Sequence, residues 1–132
     1  MSSLRLAVFV SPHGFGHAAR ACAVMEAFRD ARPEACFEIF TLVPRWFFSD
    51  SLGDGFRHHL LRTDVGLVQR TTLHEDPAET ARALARVVPF DQAAVRLLVD
   101  LVVRAGCSGV VADISPLGIS STTFASPIRM PL

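Results

Sequence analysis

The apolar run at residues 4–10 ends in Ser11-Pro12 and leads directly into His13-Gly14-Phe15-Gly16-His17-Ala18-Ala19-Arg20. A short, nearly continuous apolar run is the pattern of a parallel strand buried on both faces. The two glycines supply a tight turn, and the residues after them have helical spacing. Strand, glycine turn and helix in so short a stretch dictate an α/β unit. Such a turn offers a ligand bare backbone at the positive end of a helix. The two imidazoles add groups that exchange protons near neutral pH.

The remaining chain repeats this alternation. Residues 17–32 form the predicted first helix, with Ala18, Cys22, Met25 and Phe28 on its inner stripe and Pro33 closing it. Residues 36–43 are the second strand, built on Phe37, Ile39 and Phe40. Trp46, Phe47 and Phe48 follow it as a cluster that serves either as a plug for the core or as a platform for a ligand. Gly53-Asp54-Gly55 turns the chain into a third strand at 56–62. Residues 63–75 show no period and read as loop.

Asp76-Pro77 is an N-cap with proline in the first helical position. The helix it opens runs to Val88 and buries Leu84, Val87 and Val88. Asp91 caps the next helix, which reaches Arg104, and Gly106 stops it. A short buried strand at 109–112 ends at Asp113. This order predicts an α/β fold, a Rossmann-like, mostly parallel sheet with flanking helices. Ligands of such sheets bind beyond the carboxyl ends of the strands, where both the histidine turn and Asp113 fall.

A chain of 132 residues is a single domain at most. Its 13 acidic and 13 basic residues cancel, so no field draws it to nucleic acid or an anionic membrane. Every basic residue is arginine, which excludes Schiff-base and P-loop lysine chemistry within it. Cys22, Cys36 and Cys107 are odd in number and form no C-x-x-C pair. They read as reduced, buried thiols of a cytoplasmic protein. The apolar run is too short for a signal peptide or a transmembrane segment. After Gly118 the Ser/Thr-rich, twice proline-interrupted tail fits neither helix nor strand. The expectation is a partial domain over residues 1–119 with a divergent or disordered tail at 120–132, as in a chain cut short.

Gly14-Phe15-Gly16-His17-Ala18-Ala19 satisfies G-x-G-x-x-A, the dinucleotide fingerprint. The acid that should end the second strand is missing: that end reads Thr41-Leu42-Val43, and Glu38 lies inside the strand. An oxidoreductase or epimerase using a dinucleotide is therefore a minor alternative. No metal site is expected, because glycines separate His13 from His17, and His58 and His59 face opposite ways on a strand. His58, His59 and His74 read as surface or loop histidines. His17 remains. A helix start disfavours an imidazolium, leaving an imidazole able to accept a proton, and a carboxylate is needed to orient it. Asp113 either supplies that carboxylate or caps a helix before Ser115-Pro116.

Gly16-His17 after the first strand and Val110-Val111-Ala112-Asp113 after a later one resemble the N-terminal half of GT-B glycosyltransferases. The longer strings, 13–20 and 111–118, are similar to a group of bacterial glycosyltransferase-like proteins and to the N-terminal region of plant arabinose kinases. The resemblance covers residues 4–119. It implies an acceptor-binding half of an inverting nucleotide-sugar transferase, with His17 as general base and Asp113 as its support. His13, Gly14, Phe15, Gly16 and Ser115 are then expected at the substrate, a small-molecule or lipid-linked acceptor. Arg20 reads as a surface or phosphate-facing residue. No cofactor is implied beyond the nucleotide-sugar donor, which such proteins hold on a C-terminal domain; residues 120–132 depart from that course. This chain alone is thus expected to be inactive, or to be a non-catalytic binding or regulatory remnant of the fold.

Overall fold

Leu6, Ala7, Val8, Phe9 and Val10 are all buried, so the strand they form needs cover on both faces. A computed structural model describes residues 3–63, 69–71, 74–86, 91–113, 115, 117 and 118. In chain order the elements are β1 (Arg5–Val10), α1 (Gly16–Ala31), β2 (Cys36–Thr41), α2 (Arg45–Leu52) and β3 (Phe56–Leu60). There follow β4 (Gln69–Thr71), β5 (His74–Glu75), α3 (Pro77–Ala85), α4 (Gln92–Arg104) and β6 (Gly109–Asp113). Four strands form one sheet in the order β3-β2-β1-β6, and every pairing in it is parallel. The fold is α/β and Rossmann-like, as the alternation of the sequence predicts.

The pleat divides the apolar side chains between two layers. Leu6, Val8, Val10, Phe37 and Ile39 pack against Ala18, Ala21, Cys22 and Met25 of α1 and against Phe48 and Leu52 of α2. On the other face Ala7, Phe9 and Phe40 meet Val102 of α4. Phe9 and Phe40 stack there with centroids 4.7 Å apart. Phe28, predicted on the inner stripe of α1, is only partly buried against this core, and Ala21 takes a place beside it.

Helix α2 is absent from the sequence expectation. It enters at Pro44, whose φ of −60° and ψ of 146° keep the residue extended just before the first turn. Phe48 and Leu52, one turn apart, anchor it. At its far end the Arg29 guanidinium donates to the carbonyls of Leu52 and Asp54, placing a cation where the helix dipole favours one.

Other differences lie in the second half. The stretch expected to be loop contains β4 and β5, an antiparallel pair; strands this short are held by cross-strand hydrogen bonds and leave no period to detect. The Asp76 carboxylate caps α3 as predicted, accepting from the Glu79 amide at 3.0 Å. That helix buries no residue among those described, and Leu84 is 44% exposed, against the expectation that it enters the core. Helical spacing reveals an apolar face but not whether a surface lies opposite it. Val87, Val88 and the tail at 120–132 lie outside the described residues.

One charged group lies inside the sheet. Glu38 of β2 is fully buried, its carboxylate 2.7 Å from the Arg5 guanidinium and 2.6 Å from His59 Nε2. It borders a cleft of about 420 Å³ between β3 and α4, lined also by Arg57, Leu97, Leu101 and Arg104. No helix among the described residues is long and apolar enough to cross a membrane.

Candidate functional site

Parallel register builds the site. β6 lies beside β1 with Asp113 opposite Val10, so the last residue of β6 and the turn leaving β1 share one edge of the sheet. Gly14 makes the turn with φ of +65°, a conformation that favours glycine. Phe15 then takes the N-cap position of α1 with no side-chain cap hydrogen bond. A Cβ on Gly16 would meet nothing within 4 Å, so the start of α1 is open on that side. His13 is exposed on the turn, and its amide donates to Ser11 Oγ at 3.4 Å.

His17 and Asp113 come together: Nδ1 lies 3.4 Å from Oδ2, with side chains 24% and 15% exposed. That is longer than an ordinary N–H···O bond. The carboxylate is more closely engaged by Arg20, whose Nη2 donates to Oδ1 at 2.6 Å and Nε to Oδ2 at 3.2 Å. This hydrogen bond and the charge of Asp113 hold the Arg20 guanidinium still more firmly protonated than usual. The same Nη2 lies 3.0 Å from His17 Nδ1.

A guanidinium only donates, so its contact with His17 requires the lone pair of Nδ1. The proton of the neutral ring then sits on Nε2. A general base acting through Nε2 needs the opposite tautomer, with Nδ1–H directed at Asp113. Arg20 therefore decides where the imidazole proton resides. The expectation of a surface or phosphate-facing Arg20 agrees with its 60% exposed side chain but does not include its contact with Asp113; the signal for that is its position three residues after His17, on the same helix face.

Ser115, expected at the substrate, is buried. Its hydroxyl donates to the Thr63 carbonyl at 3.2 Å and accepts from the Gly118 amide at 3.1 Å. It ties the segment after β6 to the one after β3. His58 and His59 lie on the third strand as expected but are half-buried and not surface residues: His58 Nε2 lies 2.8 Å from the Val43 carbonyl, and His59 stacks on Phe40 at 4.6 Å. Among the described residues no group of three or more His, Cys, Asp or Glu could hold a metal. At the end of β2, Thr41 Oγ1 accepts the Val43 amide at 3.1 Å.

The aromatic cluster divides. Phe48 is fully buried and plugs the core, whereas Trp46 is 56% and Phe15 51% exposed. Phe15 stacks on Phe47 with centroids 5.1 Å apart and planes 12° from parallel, and Trp46 leans on both at 6.0 and 5.8 Å. The start of α1 thus has an aromatic shelf on its α2 side and the His17–Arg20–Asp113 group on its β6 side. No family model matches the chain, and no curated protein matches its sequence.

Proposed function

We propose that this chain is the acceptor-binding part of an inverting nucleotide-sugar glycosyltransferase. The observation that carries the reading is the approach of His17 to Asp113 at the carboxyl edge of a parallel sheet, where open α/β sheets bind ligands. His17 takes the proton of an acceptor hydroxyl through Nε2, and the hydroxyl oxygen bonds to the anomeric carbon of the donor. The bond from that carbon to the diphosphate breaks, its electron pair leaving with the nucleotide. Asp113 stabilises the imidazolium formed. The donor is held by a domain outside these residues.

For this step Arg20 has to release Nδ1. Its side chain is 60% exposed, and a phosphate-bearing donor is a fitting competitor for it, since guanidinium pairs with phosphate as it does with carboxylate. The hold of Arg20 on Asp113 also favours a second reading, a module that binds the acceptor without acting on it.

Nitrogen-15 and proton spectra of the histidine rings separate the two. Under the transferase reading, inorganic pyrophosphate with an excess of a saccharide moves His17 from the Nε2–H to the Nδ1–H tautomer. A bound saccharide with an unchanged tautomer supports the binding module instead. Binding of NAD(P), with no response to saccharides, overturns both.

A further inference from the structure

We infer that Phe15 and Trp46 form a saccharide-stacking subsite, and that the acceptor is a carbohydrate of at least two rings. The inference rests on the transferase reading for the reaction at His17, but the binding stands apart from it. Two large rings half exposed to water, their planes inclined by 51° and both packed on Phe47, are a preformed apolar corner. Such rings lose little conformational freedom when a ligand covers them.

The surroundings select the ligand. Beyond the shelf the open backbone at Gly16 leads to His17, Arg20 and Asp113, all hydrogen-bonding groups. A pyranose matches this pairing, with an apolar C–H face for the aromatic rings and hydroxyl groups around its rim. A wholly aromatic ligand would cover the shelf and make no contact with the hydrogen-bonding groups beyond it. Residues two apart at a helix start diverge by roughly 200°, so Phe15 and His17 flank α1 on opposite sides. One sugar ring cannot both cover Phe15 and offer a hydroxyl to His17. The next ring of the same glycan reaches across Gly16.

Trp46 is the single tryptophan, and there is no tyrosine, so intrinsic fluorescence reports on the shelf alone. Titration with maltose and with cellobiose is expected to give a saturable blue shift for at least one of them, with methyl glucoside binding about tenfold more weakly. In Phe15→Ala the affinity falls by about threefold or more for disaccharide and methyl glucoside alike, while His17→Ala weakens the disaccharide alone and brings it towards the methyl glucoside. Calorimetry on Trp46→Ala is expected to show the same loss. The subsite is overturned if neither disaccharide produces a saturable response, or if phenol does and the disaccharides do not, the mark of a purely apolar surface. Saccharide-induced changes at the His17 ring without any at Trp46 also overturn it, and leave the transferase reading standing. A response at Trp46 with an unmoved His17 ring does the reverse.

Discussion

Arg20 and Asp113, 93 positions apart, are joined by two hydrogen bonds of 2.6 and 3.2 Å, while His17 Nδ1 stands 3.4 Å from the same carboxylate and 3.0 Å from Arg20 Nη2. A carboxylate that looks like the support of a histidine is committed first to an arginine. The chemistry of the edge is therefore set by whether His17 Nδ1 accepts from Arg20 or donates to Asp113.

Removing one competitor should reveal the other. In Arg20→Met the lone pair of Nδ1 loses its donor and Asp113 loses its cation, so Nδ1–H donates to Asp113 and the ring adopts the Nδ1–H tautomer. The ring nitrogen shifts of His17 check this directly. Retention of the Nε2–H form in the variant would show that Arg20 does not control the proton.

Phe48 and Trp46 stand two residues apart on α2 but belong to different surroundings, one fully buried and the other 56% exposed. Phe48→Ala should cost about 3–5 kcal/mol of stability, as expected when a large ring leaves a packed core. Trp46→Ala should cost less than about 1 kcal/mol. Urea unfolding followed by circular dichroism measures both without relying on the tryptophan.

Glu38 faces the Arg5 guanidinium at 2.7 Å and that of Arg57 at 4.0 Å, with His59 Nε2 at 2.6 Å. Glu38→Ala leaves Arg5 without its counter-charge and His59 Nε2 without its partner, a change that costs about 3 kcal/mol, the lower end for a broken buried pair. The lower end applies because Arg5 and His59 keep 25% and 28% of their side chains in solvent. Glu38→Gln retains an acceptor in the same volume and should lose less. Equal losses in urea unfolding would mean that the charge, not the shape or the retained acceptor, is what the site requires.

The thiol of Cys107 is pushed up to about 11, by burial and then by the charge of Glu38, with Arg5 acting in the opposite sense. At pH 8 roughly 0.1% of such a thiol is thiolate, against about a quarter of an ordinary one. Iodoacetamide should therefore modify Cys107 slowly in the folded chain and quickly in urea, as read by mass spectrometry. Folding favours the protonated thiol. Its contribution to stability is thus complete below the ordinary thiol range and is lost as pH rises towards 11. Fast labelling of folded protein at pH 8 would contradict this.

Much of the fold is legible in the sequence because the elements that form it bury their side chains locally and regularly. β1, α1, β2, α4 and β6 show as apolar runs or helical stripes, and Asp76 and Asp91 as caps. α2 escaped because it is only 8 residues long and its three adjacent aromatic residues, Trp46 to Phe48, mask the spacing of its buried Phe48 and Leu52. Leu84 misled for the opposite reason, since a clear stripe can lie on a helix that nothing covers. At the site, His17 and Asp113 were legible from their strand-end positions. Arg20 was not, because its partner is fixed by strand pairing and not by its neighbours in the chain.

The sequence by itself determined the alternation of strands and helices, the Gly14 turn and the carboxyl-edge placement of His17 and Asp113. The first two follow from local properties, periodicity and a glycine at the turn, and the third from the alternation of strand and helix, which makes neighbouring strands parallel. Tertiary structure alone decided that Val10 lies beside Asp113, that Arg20 takes the carboxylate, and that Phe15 and Trp46 meet in an exposed shelf. Each depends on which strands become neighbours and how two helices pack. Those are contacts between distant parts of the chain, and their geometry is set only once the sheet has formed.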